Sequence, residues 1–206
     1  MLDAALIKEC ADPFLKPATI EQFVTAAGAT DPLAVTVKSG GRLIIVPKAT
    51  SAEEALAIVR QYAGHAVVRV GLTQFPAGVG VKETADLKSD LVDACQNLRK
   101  GTAMFAKVLR IVAKWYGSPT SNEVFPQIFE DALYAWKTGE FEGVSVFQAE
   151  DPGGAITNQW EPQADTSETD TVDAEAPMQT GAESLDEKKI GTAEMRVDLS
   201  RIGGQP

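Results

Sequence analysis

Residues that commonly perform chemistry are few in this sequence of 206 residues. His65 is the only histidine, so no Ser–His–Asp triad can be assembled, and we interpret it as an exposed or hydrogen-bonded residue at the start of a strand. The two cysteines, Cys10 and Cys95, are too few to form a zinc site by themselves. We therefore expect neither a metal nor a cofactor.

Cys10 and Cys95 still allow two interpretations. They are either two buried thiols or the partners of a disulfide. A disulfide would close a loop of about 84 residues, and the chain-entropy model assigns such a bridge about 4–5 kcal/mol of stability.

Two other patterns do not identify a reaction. The glycines of GLTQFPAGVG, from Gly71 to Gly80, suggest a phosphate loop, but the G-K-[ST] motif and the G-x-G-x-x-G spacing are absent. Carboxylates such as Glu53, Glu54 and Asp131 fall on predicted helix faces, where a solvated surface is the default. The residues alone therefore indicate no particular chemistry.

The elements that would position any site occupy the first three quarters of the chain. Apolar spacing, caps and turns predict helices over 3–11, 19–27, 51–64, 88–116 and 121–138, with a hairpin around Gly40-Gly41 and a strand over 65–70. Asp3 is the predicted N-cap of the first helix, Thr19 and Gln22 form the predicted capping box of the second, and Gly28 is its predicted left-handed C-cap. The second half of the 88–116 helix is apolar nearly all round, which predicts a helix buried on several sides, and Gly139 is the predicted end of the last helix. The predicted fold class is α+β, mainly helical, with a small β-hairpin.

Charge is divided unevenly along the chain. Residues 1–149 contain 15 Lys and Arg against 16 Asp and Glu, whereas residues 150–206 contain 4 against 13. The end of the chain has few large apolar groups and cannot offset the entropy of ordering, so we predict a folded domain over 1–148 and a disordered acidic tail over 149–206. Near its end, EMRVDLSRIGG alternates Met195, Val197 and Leu199, which indicates either strand addition to a partner or chance alternation.

Several partners and locations are disfavoured. The chain has no basic patch, and its acidic end would repel phosphates, so we expect no nucleic-acid binding. No apolar run reaches the ~20 residues of a membrane-spanning helix. The N-terminus lacks the basic and apolar regions of a secretory signal, which predicts a cytoplasmic location.

Six short segments form a joint pattern. They are Cys10-Ala11, PATI at 17–20, DPLAV at 31–35, VGLTQF at 70–75, CQNLRKGTA at 95–103 and Tyr116-Gly117. In this order they resemble the lytic transglycosylases of VirB-type secretion and conjugation systems. The whole chain, with its charged tail, resembles still more the related family of plasmid conjugal-transfer proteins called TraH. The resemblance implies a lysozyme-like fold of the lytic transglycosylase (SLT) type, conjugal transfer proteins and peptidoglycan as partners, and a periplasmic location.

The resemblance also identifies where catalysis should occur. In the transglycosylases one Glu, four residues before the Asp of the DP pair, acts as general acid and base on the glycan, and a Ser follows it. Counting back from Asp31 places Ala27 at the acid and Gly28 at the serine. An alanine cannot carry a proton, and acid–base catalysis supplies ~10²–10⁴-fold.

Other residues leave the question of activity open. Glu21 lies on another helix face, and the sequence does not place Glu9 or Asp31, so a relocated acid is an alternative. Gln74, Tyr116 and Gly71 match positions that line the glycan groove in active relatives, or are structural groups kept from the fold. We therefore expect a degenerate transglycosylase-like protein, a pseudoenzyme that acts by binding. The alternatives are an active transglycosylase and a cytoplasmic protein with only structural similarity.

Overall fold

The protein is described by a computed structural model that covers residues 2–81 and 83–156. The predicted α+β class is confirmed, with five α-helices and two small antiparallel sheets in these residues. The helices are α1 (Ala4–Cys10), α2 (Pro17–Ala27), α3 (Ala52–Tyr62), α4 (Ala94–Trp115) and α5 (Phe125–Thr138). The strands are β1 (Val35–Ser39), β2 (Arg42–Ile44), β3 (Val67–Val70), β4 (Phe75–Pro76), β5 (Glu140–Phe141) and β6 (Val144–Ser145).

Chain contacts divide the molecule into one unit over residues 1–164 and another over 165–206, and everything described below belongs to the first unit. The acidic segment after residue 156 and the alternating residues Met195, Val197 and Leu199 lie outside the described residues. Residues 149–156, which the sequence assigned to the tail, contact the helices in the structure. Arg110 of α4 donates from Nε to Asp151 Oδ1 at 2.7 Å.

Helix α4 lies at the centre of the core. Phe105 on its buried face stacks on Phe23 of α2, with 3.9 Å between ring centroids. Trp136 of α5 meets both rings edge-on, at 5.2 Å and 6.0 Å. Aromatic pairs of this kind contribute roughly 0.5–1.5 kcal/mol beyond their buried area. The prediction of a helix buried on several sides is therefore confirmed, and this aromatic cluster joins α2, α4 and α5.

The larger sheet has the strand order β2-β1-β3-β4. Its predicted hairpin is confirmed, because β1 pairs with β2 through the Ser39–Arg42 closing pair. Gly40 and Gly41 have φ angles of 55° and 78°, which are the two left-handed positions of a type I′ turn. Helix α3 contacts β1 and β3, so it covers one face of the sheet.

The two ends of α2 differ from the prediction. The helix begins at Pro17, because a proline at the first position has the required φ angle and lacks only an N–H that would be unpaired. Thr19 therefore lies inside the helix, fully buried, and its Oγ1 has no hydrogen-bond partner in the part of the chain that the structure describes. Gly28 is not left-handed either, since its φ angle is −94°. The predicted Thr19 cap and the predicted Gly28 left-handed cap are both wrong.

Other helix ends follow the sequence more closely. Asp3 is the N-cap of α1, and its Oδ1 accepts a hydrogen bond from the Ala5 N–H at 2.8 Å, as predicted. Helix α4 begins six residues later than predicted, at Ala94, because Asp93 caps it by accepting from the Gln96 N–H at 2.8 Å. Gly139 ends α5 with a φ angle of 87°, as predicted.

Candidate functional site

The end of α2 contacts the turn that follows β3. The Ala29 N–H donates to the Leu72 carbonyl at 3.0 Å. A Cβ atom on Gly28 would lie 2.1 Å from the same Leu72 oxygen and 2.6 Å from the Val24 oxygen. Position 28 therefore accepts only glycine unless the backbone moves. Ala27, partly buried, directly precedes this contact.

Residues 71–74, which we call the 71–74 turn, use their polar groups within the fold. Gly71 has a φ angle of 74°, and a Cβ atom there would lie 2.3 Å from Asn97 Nδ2. Its N–H donates to the Ala34 carbonyl at 2.8 Å. Gln74 is buried, has a φ angle of 50°, and donates from Nε2 to the Gly71 carbonyl at 3.1 Å. The Gln74 side chain thus closes its own turn.

The side-chain amide of Asn97 in α4 forms hydrogen bonds that fix the 71–74 turn. Its Nδ2 donates to the Val70 carbonyl at 3.0 Å and to the Leu91 carbonyl at 2.8 Å. Its Oδ1 accepts from the Thr73 N–H at 3.0 Å and from Thr73 Oγ1 at 2.9 Å. Both donors and both acceptor sites of this buried amide are therefore satisfied. The sequence analysis did not single out Asn97, although a polar residue on the apolar face of a helix was the available signal.

Gly101 and Trp136 enclose the same turn. A Cβ atom on Gly101 would lie 2.1 Å from Thr73 Oγ1, so α4 approaches the turn as closely as a glycine allows. Helix α4 continues through Gly101, which is a close-packing point and not a break. Trp136 Nε1 donates to the Thr73 carbonyl at 3.1 Å. The turn is therefore held between α4 and α5.

Arg69 of β3 is a second residue that the sequence analysis did not find. Its guanidinium donates to the carbonyls of Gln74 at 3.1 Å, Trp136 at 2.5 Å and Lys137 at 3.0 Å. The last two carbonyls belong to the C-terminal turn of α5, where a cation is favoured. Burial lowers the pKa of Arg69 to about 10, so the side chain is still a cation at neutral pH. Arg69 fastens the 71–74 turn to α5.

The structure also places the three carboxylates considered as alternatives to the acid that the resemblance implies. Asp31 accepts from the Leu33 N–H at 2.9 Å and lies 3.4 Å from Lys48 Nζ. Glu21 is exposed and lines a cavity of about 440 Å³ between α1 and α2. Glu9 is exposed on α1. These contacts do not direct a carboxyl group to the end of α2.

Tyr116 belongs to a different part of the surface. Its hydroxyl donates to Asp131 Oδ2 of α5 at 2.6 Å, and this hydrogen bond is the main reason that the pKa of Tyr116 is raised. Gln127 donates from Nε2 to the other Asp131 oxygen at 3.3 Å. The structure therefore brings Gly71, Gln74 and the end of α2 together, and it joins Tyr116 to α5.

The two cysteines are bonded to each other in the structure. The disulfide between Cys10 and Cys95 connects α1 to the first turn of α4, with the Cα atoms 5.1 Å apart. His65 is exposed, and it lies in the turn after α3, before β3 begins. Within residues 2–81 and 83–156, no group of three or more His, Cys, Asp and Glu side chains could hold a metal ion. No helix in the same residues has the length and apolar character needed to cross a bilayer.

Comparison with known proteins identifies the family. Residues 1–204 match the family model described as TraH_2. The chain is 70% identical over 204 residues to an uncharacterized protein, y4dP, of Sinorhizobium fredii (strain NBRC 101917 / NGR234), and this match covers 99% of the chain and 100% of the relative. No solved structure matches the chain. The chain belongs to the TraH_2 family, and so to the TraH proteins associated with conjugal transfer.

Proposed function

We propose that this protein is a non-catalytic component of a plasmid conjugal transfer machinery of the type IV secretion kind. It acts by binding a partner protein or peptidoglycan, on a lysozyme-like fold that has lost its transglycosylase activity. The observation that carries the proposal is the contact between Gly28 and the Leu72 carbonyl at the end of α2. Family membership supplies the association with conjugal transfer.

The contact at Gly28 matters because a Cβ atom at this position would meet backbone oxygen atoms, which cannot move aside as a side chain can. The transglycosylase pattern requires Glu and then Ser where this chain has Ala27 and Gly28. A serine Cβ at position 28 would come within 2.1 Å of a backbone oxygen, far inside van der Waals contact. The backbone around the expected acid therefore fits the glycine and leaves no room for the residue that follows a catalytic Glu.

Two carboxyl groups, those of Glu54 and Asp151, have shifted pKa values, and both shifts are in the direction that disfavours a general acid. A carboxylic acid that donates a proton near neutral pH needs a raised pKa. The pKa of Glu54 is lowered, chiefly by the hydrogen bond from the Thr50 N–H, and that of Asp151 is lowered, chiefly by the hydrogen bond from Arg110. Both shifts keep the carboxylate ionised and unable to donate a proton.

The disulfide supports a location outside the cytoplasm. Disulfides persist in oxidising compartments, including the periplasm, and are rare where thiols are kept reduced. The Cys10–Cys95 bridge therefore favours the periplasmic location that the resemblance implies over the cytoplasmic one. Fractionation of expressing cells, with thiol labelling of each fraction, tests this: an oxidised pair in the periplasmic fraction agrees, and reduced thiols in the cytoplasm contradict it.

The enzymatic alternative is tested on purified full-length protein. Incubation with purified peptidoglycan should release no anhydro-muropeptides, while co-sedimentation measures binding to the same material. Release that disappears in Asp31→Asn or Glu21→Gln, but persists in the control Glu130→Gln, would establish a relocated acid and refute the non-catalytic proposal. Ala27→Glu should stay inactive, because the contact at Gly28 persists.

A further inference from the structure

Strand β2 is an edge strand with exposed apolar side chains. It lies at one end of the four-stranded sheet, with β1 on one side and no strand on the other among the described residues. Leu43 is 63% exposed and Ile45, the next residue after the strand, is 93% exposed. An apolar edge of this kind is a template for strand addition by another chain. We call residues 42–45 the β2 edge.

The register shows that some backbone groups of the β2 edge are not paired by β1 or by another strand among residues 2–81 and 83–156. Ser39 and Arg42 close a two-residue turn and so form a hydrogen-bonded pair, and the pairs alternate along an antiparallel ladder. The Gly71 N–H bonded to the Ala34 carbonyl fixes the same alternation on the other side of β1. The N–H and C=O groups of Leu43 and Ile45 therefore point away from β1, toward the open side of the sheet.

The exposed side chains lie on one face. Leu43, Lys38 and Val67 are opposite one another across β2, β1 and β3, so they form a row on the face that α3 does not cover. Val67 is 55% exposed. Ile45 is two residues from Leu43 and so lies on the same face. An added strand would find both backbone partners and an apolar surface here.

The charge of the β2 edge and its neighbouring residues indicates the charge of the partner. Lys38 and Arg42 are exposed, and neither has a carboxylate partner among the described residues. Lys48, just beyond the β2 edge, is 83% exposed and has Asp31 at 3.4 Å. A cationic edge attracts a negatively charged strand. A second copy of the same edge would bring another cationic strand, with its own Arg42, beside the first, and like charges across a strand pair are destabilising.

We propose that the β2 edge binds an extended, acidic segment of a partner protein by strand addition, with apolar residues of the segment against Leu43 and Ile45. This inference rests on the proposed function, since it names the kind of partner bound. Backbone hydrogen bonds would supply affinity, while the alternate side chains and the acidic residues would supply specificity. The surface is separate from the 71–74 turn and from Ala27.

The test uses the full-length protein and three synthetic eight-residue peptides, with fluorescence anisotropy as the measurement. The first peptide alternates Val with Glu, the second alternates Val with Lys, and the third is the Val/Glu peptide with N-methylated backbone amides. We expect the Val/Glu peptide to bind at least about tenfold more tightly than either of the others. Its affinity should fall as the salt concentration rises. Equal binding of the acidic and basic peptides would refute the proposal.

Two variants localise the binding. Leu43→Thr/Ile45→Thr places β-branched residues, which favour extended backbone, at both positions and removes apolar surface. Lys38→Glu/Arg42→Glu reverses the charge. Both variants should weaken binding of the Val/Glu peptide at least about fivefold. The matched control Lys8→Glu/Lys137→Glu should leave the binding unchanged. Circular dichroism checks that each variant is folded.

The remaining outcomes are also decisive. Unchanged binding in folded edge variants would overturn the assignment. So would dimerisation that depends on Leu43 while no peptide binds, because the occupant would then be a second copy. The peptide result is independent of muropeptide release, so this proposal and the non-catalytic proposal can fail separately.

Discussion

The 71–74 turn and the β2 edge are two backbone segments with opposite surroundings. In the turn, Asn97, Trp136 and Arg69 supply partners for the carbonyls of Val70, Thr73 and Gln74. At the edge, the backbone groups of Leu43 and Ile45 face outward and their side chains are exposed. The 71–74 turn, which matches a glycan-groove segment of the transglycosylases, has its polar groups hydrogen-bonded within the fold. The β2 edge has backbone N–H and C=O groups that no neighbouring strand pairs among the described residues. The difference supports the proposal that recognition occurs at the sheet while the turn has a structural role.

The largest expected effect comes from removing the disulfide next to the turn. Cys10→Ala/Cys95→Ala should lower the free energy of unfolding by about 4–5 kcal/mol, because the unfolded chain regains the freedom of a long loop. Urea unfolding measures the change. Dithiothreitol should destabilise the wild type and leave the variant unaffected; an equal response of both would show that the bridge does not form in solution.

Asn97→Ala should lower the free energy of unfolding by about 3 kcal/mol. The substitution leaves the Val70 and Leu91 carbonyls and the Thr73 N–H without their partner in a buried site. Arg99→Ala, at an exposed position of the same helix, is the control and should change stability by less than about 0.5 kcal/mol. If the two variants unfold at the same urea concentration, the 71–74 turn does not depend on Asn97.

Tyr116→Phe should have a smaller effect that depends on pH. The pKa of Tyr116 is raised in the folded protein, so its contribution is present below the unfolded value of about 10 and is lost as the pH rises through the folded value. The stability difference between wild type and variant should therefore be seen at neutral pH and vanish in alkaline solution. Tyr134→Phe, which removes a hydroxyl group from an exposed ring, is the control.

The smallest effect on stability is expected at the β2 edge. Leu43→Thr/Ile45→Thr should change the free energy of unfolding by less than about 0.5 kcal/mol per site, because both side chains are already in solvent. The same variant should weaken binding of the Val/Glu peptide at least about fivefold, so the effect on binding would be separate from the effect on stability. A large destabilisation in urea would mean that these side chains are part of the core, and the contrast with the turn would fail.

Local patterns in the sequence predicted the elements well, and of the two errors at the ends of α2 one has a local cause and the other has a remote one. The Gly40-Gly41 hairpin, the Asp3 cap and the Gly139 cap depend on neighbouring residues only, and all three are confirmed. Thr19 was misassigned because Pro17 two residues earlier starts the helix. Gly28 was misassigned because the reason for a glycine there is the Leu72 oxygen, which is distant in sequence.

The candidate site was only partly predictable for the same reason. The segments around Gly71 and Cys95 were identified by their resemblance, and the structure brings them into contact through Asn97. Arg69 could not be found, because its partners are backbone carbonyls on another element and backbone carbonyls leave no mark in a sequence. A lysozyme-like fold stays a prediction.

The contact at Gly28 has a consequence for protein engineering. If the protein derives from a transglycosylase, as proposed, a catalytic acid needs a Glu at position 27 and room for the serine that follows it. The second requirement means moving the Leu72 backbone, whose turn Asn97 holds. Each single substitution would be neutral or harmful before the other is present. A stepwise route back to an enzyme therefore passes through a less stable protein, and a designer would have to rebuild the loop and both side chains together.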